Sequence, residues 1–201
     1  MRNNHITGVV LAGGKSGRMG LDKASIIVDG RQMIMYVVDA LRKVFFDILI
    51  SAKNAEDFHI PGIKTIGDCI EGSGPLVGIY SALSVSESPY CFVVACDMPC
   101  ADPDLIKWMS TVCNGYDVFI PRIGSFVEPL FALYSKKCMG PIKDSLLTRN
   151  YHVRSIFSKV NVGYANEDDI RKIDPELRSF MNINTEEDLK ALLNIKNTVL
   201  P

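Results

Sequence analysis

Gly8-Val-Val-Leu-Ala-Gly-Gly-Lys-Ser-Gly-Arg-Met-Gly-Leu-Asp-Lys23 is the stretch around which the chain is organised. Gly8 to Leu11 is a short apolar run and reads as a buried first strand. A loop follows with four glycines, Gly13, Gly14, Gly17 and Gly20, and three cations, Lys15, Arg18 and Lys23. Glycine lets the backbone turn sharply and bring its N–H groups close to a ligand. Successive N–H groups form a concave nest for an anion, and Lys and Arg add charge and directional donors. A basic, glycine-rich loop straight after a first strand therefore suggests a polyphosphate site. It is not a Walker A loop, since no Gly-Lys-Ser/Thr follows a first glycine with four residues between. Nor is it a clean G-x-G-x-x-G, because position 12 is alanine.

The combination is more specific than the glycines. Leu11-Ala-Gly-Gly-x-Ser-x-Arg-Met-Gly-x-Asp-Lys23 resembles the signature of the molybdenum cofactor guanylyltransferases. These belong to a superfamily of nucleotidyltransferases that join a nucleoside monophosphate to a phosphorylated acceptor.

Composition sets the bounds. At 201 residues, 47% of them hydrophobic, the chain suits one domain with a sizeable core. The formal net charge of −1 argues against a general nucleic-acid or membrane-surface binder, which needs a basic excess. No apolar run is long enough to span a bilayer. The run Ile6 to Ala12 leads into Lys15, Arg18 and Lys23 rather than a small-residue cleavage site, so a signal peptide is not expected. The six cysteines show no zinc-ribbon or thioredoxin spacing, and Cys91 and Cys96 flank the apolar Phe-Val-Val-Ala. They read as reduced thiols of a cytoplasmic protein.

Outward from the loop, strand and helix alternate. Ser25 to Val28 is apolar and Asp29-Gly30 a turn, and the spacing of Ile34, Val37, Val38, Leu41 and Phe45 predicts a helix over Gln32 to Val44. Phe46 to Ser51 reads as a second strand, Ala55 to Phe58 as a short helix and Ile63 to Ile66 as a third strand. Glu71-Gly-Ser-Gly-Pro-Leu-Val-Gly78 is a second glycine-rich loop, with Pro75 suited to a helix's first turn and the helix running to about Ser86. Tyr90 to Ala95 is apolar without alternation, as in a central parallel strand. Asp102 caps a helix through Trp108, and Asp117 to Ile120 is a fifth strand. Beyond it, Ser125 to Tyr134 reads as one strand, Lys136 to Leu147 as a helix, and Arg154 to Val162 as a short helix then a strand. A closing helix follows the Thr185 cap.

This alternation marks an α/β fold: a Rossmann-like, doubly wound, mostly parallel sheet with helices on both faces. It is read as a single domain over residues 1–201, with a nucleotide-binding half over about 1–120 and an acceptor-binding half over about 121–201. Ligands bind such sheets beyond the strands' carboxyl ends. There the special residues gather: the Gly13–Lys23 loop, Ser51, Asp68 and Asp97. A lone carboxylate at that edge, Asp97, fits a Mg²⁺ shared with substrate phosphates.

The resemblance implies roles for these positions. Leu11, Ala12, Gly13 and Gly14 border the guanine, Lys23 and Arg18 reach the triphosphate, Asp97-Met98-Pro99 carries the metal-binding carboxylate, and Asp68 lies near the ribose or metal. Ser51 stands where some relatives place asparagine at the nucleotide. Gly74, Pro75 and Gly78 match a second family motif shaping the base and acceptor pocket. Asn182 and Asn184 match a late Asn-x-Asn-Thr motif near the pterin acceptor. Arg122, Glu128-Pro129 and Arg149 are further candidates on the acceptor side, and the histidines His5, His59 and His152 receive no role. The implied reaction moves GMP from GTP to the terminal phosphate of molybdenum-molybdopterin and releases pyrophosphate. Lys23, Arg18 and Asp97 would carry it with Mg²⁺. A monomer is expected, with passing contacts to cofactor-biosynthesis proteins and molybdoenzymes. The rival readings are a relative using CTP or another phosphorylated acceptor, and a nucleotide-binding module without turnover.

Overall fold

Seven buried residues, Ile6–Ala12, make the first strand (β1). A strand buried on both faces has to lie at the centre of a sheet with helices above and below. The computed structural model describes residues 5–13 and 26–199, with backbone alone from residue 195 onward. After β1 come a small hairpin, β2 (Ile27–Val28) and β3 (Arg31–Gln32), then α1 (Ile34–Val44), β4 (Ile48–Ala52), β5 (Lys64–Ile66) and α2 (Pro75–Val85). The chain continues through β6 (Tyr90–Ala95), α3 (Pro103–Val112), β7 (Val118–Ile123), β8 (Phe126–Val127), β9 (Phe131–Ser135) and α4 (Met139–Leu147). It closes with β10 (Val162–Asn166), α5 (Glu167–Arg171) and α6 (Glu186–Val199).

The main sheet runs β10-β7-β9-β6-β1-β4-β5, with β8 paired to β7. β6, β1, β4 and β5 are mutually parallel, as are β10 and β7. β9 runs antiparallel between β6 and β7. Alternate residues of β1 feed two cores: Ile6, Val10 and Ala12 pack with α1 and α3, whereas Val9 and Leu11 pack with α2 and α4. A third, smaller core joins Ile26 and Val28 of the hairpin segment to Met33 before α1, Ile183 before α6 and Leu192 within α6. Both halves of the chain contribute strands to one sheet, so the division near residue 120 is not a domain boundary.

The elements differ from their sequence-based outlines where local chemistry intervenes. Phe46 is 61% exposed, outside β4, instead of opening a buried strand. No helix covers residues 55–58. The Asp57 carboxylate accepts from the backbone N–H of Asn54 at 2.9 Å and closes a turn there. Ser125 to Tyr134 is not one strand but two, split at Glu128-Pro129-Leu130. Proline cannot donate to a ladder, and the break shifts the register while the direction is kept: β8 and β9 both pair antiparallel with β7, the chain having reversed at Gly124-Ser125. The hairpin turn takes Asp29 (φ 51°) and Gly30 (φ 74°), the two left-handed positions of a two-residue connection. The Asp102 cap on α3 is present, its carboxylate accepting from Asp104 N–H at 2.7 Å. None of the six cysteines is in a disulfide, and burial pushes the Cys91 thiol up to about 12 and that of Cys138 up to about 11.

Phe92 of β6 sits at 0% exposure between the rings of Phe45 and Phe131, with centroids 5.9 and 5.4 Å away. Phe92→Ala is expected to cost about 3–5 kcal/mol of stability, since both aromatic neighbours lose their partner. Urea unfolding of the two proteins measures it; a loss below about 1 kcal/mol would mean that this core refills easily.

Candidate active site

The site follows from where the sheet reverses direction. The connection from β1 passes through α1 to β4 on one side, while α2 brings the chain back to β6 on the other. The carboxyl ends of β1 and β6 therefore bound a crevice, the usual ligand position in an open α/β sheet. Leu11 pairs with Ala95 in register, and the Cys96 N–H donates to the Leu11 carbonyl at 3.0 Å. That bond carries Asp97 to the mouth of the crevice, next to the point where Ala12 gives way to exposed Gly13. Gly14, Arg18 and Lys23 lie outside the described residues.

Asp97 is half-buried. Its carbonyl accepts from Ile183 N–H at 2.9 Å, which draws the Asn182-Ile183-Asn184 segment over the same edge. Ile183 is buried in the third core with Ile26, the first described residue after the basic loop. Of the two described residues that flank positions 14–25, Gly13 thus lies at the crevice and Ile26 against the segment that covers it. The Asn184 N–H is taken up by the next helix: it and the Thr185 N–H donate to the Asp188 carboxylate at 2.9 Å, while Thr185 Oγ1 accepts from Asp188 N–H at 3.1 Å. This reciprocal cap fixes the Asn-x-Asn segment in place.

On the far side of β1, Asp68 N–H donates to the Lys53 carbonyl at 3.2 Å, one residue past β4. Asp68 is exposed on this rim. Partial desolvation raises its carboxyl above the ordinary range, with Lys53 pulling the other way. Ser51 and Gly78 face inward instead. Ser51 is 3% exposed, and its hydroxyl donates to the Gly78 carbonyl at 3.2 Å. A Cβ on Gly78 would come within 3.0 Å of both Leu11 Cδ2 and Ser51 Oγ. These two residues seat α2 tightly on β1 and β4. Gly74 caps α2 with φ +85°, a conformation that favours glycine, and exposed Pro75 opens the helix.

The residue that sequence reasoning underrated is Glu128. It precedes β9 and is only 6% exposed. Its Oε1 accepts from Leu130 N–H at 2.9 Å, and the Leu130 carbonyl in turn accepts from Ala95 N–H at 2.9 Å. This chain of bonds ties the Glu128 turn to the end of β6. Burial raises the Glu128 carboxyl; the Leu130 N–H opposes the shift, Asp97 adds to it, and Arg154 opposes it. Of the other two candidates, Arg122 lies near the carboxyl end of β7, stacks on Tyr164 at 4.7 Å and bonds Asn166, and Arg149 (φ 57°) follows α4.

A divalent cation shared with substrate phosphates needs only one or two protein carboxylates. Asp97 supplies the hard oxygen donors such an ion prefers, with Glu128 in electrostatic reach. Among the described residues no group of three or more His, Cys, Asp or Glu side chains could hold a metal ion alone. No described helix is long and apolar enough to cross a membrane.

Comparison with known proteins agrees with this geometry. Residues 8–163 match the model of the MobA-like NTP transferase domain. A probable molybdenum cofactor guanylyltransferase of Pelotomaculum thermopropionicum is 40% identical, over 96% of this chain and 94% of its own length. A molybdenum cofactor guanylyltransferase of Desulfosudis oleivorans is 35% identical, over 92% and 93%. Among solved structures, molybdopterin-guanine dinucleotide biosynthesis protein A from Archaeoglobus fulgidus superposes with a TM-score of 0.84 at 27% identity, covering 96% of this chain and all of that one. A cytidylyltransferase from Thermus thermophilus shares the fold at a TM-score of 0.70 and 13% identity.

The raised carboxyl of Glu128 gives a signed expectation. The folded state holds that proton more tightly than the unfolded chain does. Its contribution to stability is complete below the ordinary carboxylate range and is lost as pH rises through the raised value. Glu128→Gln keeps the acceptor for Leu130 N–H without the charge. Urea midpoints between about pH 4 and about pH 8 should fall less steeply in the variant than in the parent, and parallel profiles would contradict the assignment.

Proposed function

The chain belongs to the family of the molybdenum cofactor guanylyltransferases, and from that premise we propose that it transfers GMP from GTP to the terminal phosphate of molybdenum-molybdopterin. It is a nucleotidyltransferase. An oxygen of the acceptor's phosphate attacks the α-phosphorus of GTP. The new P–O bond forms as the bond from the α-phosphorus to the α,β-bridging oxygen breaks, and pyrophosphate leaves. A phosphate monoester is already an anionic nucleophile, so the protein has no strong base to provide. Its task is to align the two substrates and neutralise charge. What carries the reading is the meeting of the basic loop's first residue and Asp97 at the β1–β6 crevice.

In this proposal the Leu11–Gly14 backbone meets the guanine, and Arg18 and Lys23 hold the triphosphate and the departing pyrophosphate. Asp68 stands on the ribose side of β1. Asp97 is the residue that would hold Mg²⁺. When bound, that ion supplies Lewis-acid neutralisation of the phosphates. Asn182 and Asn184, drawn over Asp97, belong to the acceptor side, as do Gly74 and Pro75. We place the reaction in the cytoplasm and assign it to a monomer making passing contacts with biosynthetic partners and molybdoenzymes.

Melting with each nucleotide in the presence of Mg²⁺ tests the base. GTP at a hundredfold excess over its dissociation constant should stabilise by about 2.7 kcal/mol, and more than CTP, ATP or UTP at equal concentration. An equal or larger response to CTP would favour the cytidine-using relative. Lys23→Ala should raise the barrier by about 2–4 kcal/mol while the fold survives. Asp97→Asn should cut turnover sharply and flatten the Mg²⁺ dependence of pyrophosphate release. Superimposable Mg²⁺ curves for parent and variant would make Asp97 a cap, a role asparagine fills equally well.

A further inference from the structure

We propose that the groove beside Glu128 seats the acceptor, with Tyr151 and two prolines clasping its planar heterocycle and Arg154 taking its phosphate; this rests on the guanylyl-transfer reading. The groove measures about 450 Å³ and is formed by Pro75 at the head of α2, Pro129 and Leu130 before β9, and Tyr151, Val153 and Arg154 after α4. That volume lies within the range of small-ligand sites, about 300–1,000 Å³. None of these positions except Pro75 belongs to a family motif read from the sequence.

Three observations fix the occupant's chemistry. The first is shape: the walls carry flat, apolar faces, the Tyr151 ring and the rings of Pro75 and Pro129, which suit a fused bicyclic heterocycle. Tyr151 is held against the second glycine-rich loop, since a Cβ on Gly72 would come within 2.9 Å of its ring. The second is charge. Arg154 is exposed and spends one N–H on the Val127 carbonyl at 3.3 Å, and its planar fork has further donors for a phosphate. The third is position. Glu128, the chain neighbour of Pro129, feels both Arg154 and Asp97, and the Leu130 carbonyl is bonded to the last residue of β6. A phosphate held by Arg154 therefore approaches the crevice from the β9 side, opposite the rim that bears Asp68. The two substrates thus enter from opposite flanks of β1–β6.

The test uses the full chain with two fluorescent probes, an oxidised pterin with a phosphate on its 6-substituent and the same pterin without it. Binding is read by fluorescence anisotropy. Tyr151→Ala should weaken both probes at least tenfold, and Tyr151→Phe should restore them. Arg154→Gln should weaken only the phosphorylated probe at least tenfold, to the level of the unphosphorylated one. In each variant the rise in melting temperature on adding GTP should stay as in the parent, which also shows the protein folded. Parent-like binding of both probes to Tyr151→Ala and Arg154→Gln would overturn the seat, as would a parent protein that responds to GTP but binds neither probe. Failure of the guanylyl-transfer reading shows itself differently: the parent protein would show no melting shift with GTP.

Discussion

Everything at the site depends on the parallel pairing of β1 with β6. The Cys96-to-Leu11 hydrogen bond ends that pairing and leaves Asp97 and Gly13 at the same edge. The pairing is rigid because both strands are buried on both faces, with Val9, Val10, Val93 and Val94 all at 0% exposure. A carboxylate on a loose loop could be pushed aside by a tetra-anionic nucleotide. One fixed to the end of a close-packed strand cannot, and preorganised charge is what phosphoryl and nucleotidyl transfer draw upon.

The same rigidity extends along the edge through backbone bonds rather than ion pairs. Ile183 is hung from Asp97, Leu130 from Ala95, and Asp68 from Lys53. The covering segment is then closed off by the cap on α6 and weighted by Ile183 in the third core. Net charge near zero fits this design. A protein without a broad basic field has to collect an anionic substrate with a few local cations.

Much of this was legible in the sequence because it is local. Alternating apolar runs and helical stripes gave the order of strands and helices, and Asp102 and Thr185 announced their caps by residue type. The gathering of Gly13, Asp68 and Asp97 at the carboxyl edge followed from the fold class alone. What stayed hidden depends on contacts distant in sequence. The hydrogen bond from Ser51 to the Gly78 carbonyl joins residues far apart in sequence. The register shift between β8 and β9 could not be read from an apolar run that only Pro129 interrupts. Pro129, the chain neighbour of Glu128, meets Tyr151 and Arg154 only because the segment after α4 lies against the head of α2. No periodicity encodes such a meeting. His152, given no role from the sequence, lines the same groove.

The central claim is that the acceptor's phosphate attacks the α-phosphorus of GTP. Tracing the phosphorus label tests it most directly. Two parallel reactions would contain enzyme, Mg²⁺ and molybdenum-molybdopterin, one with GTP labelled at the α-phosphorus and the other at the γ-phosphorus. The account predicts that the α-label enters a guanylylated pterin while the γ-label leaves as pyrophosphate. Recovery of the α-label in GDP, with the γ-label in inorganic phosphate or on the acceptor, would contradict it.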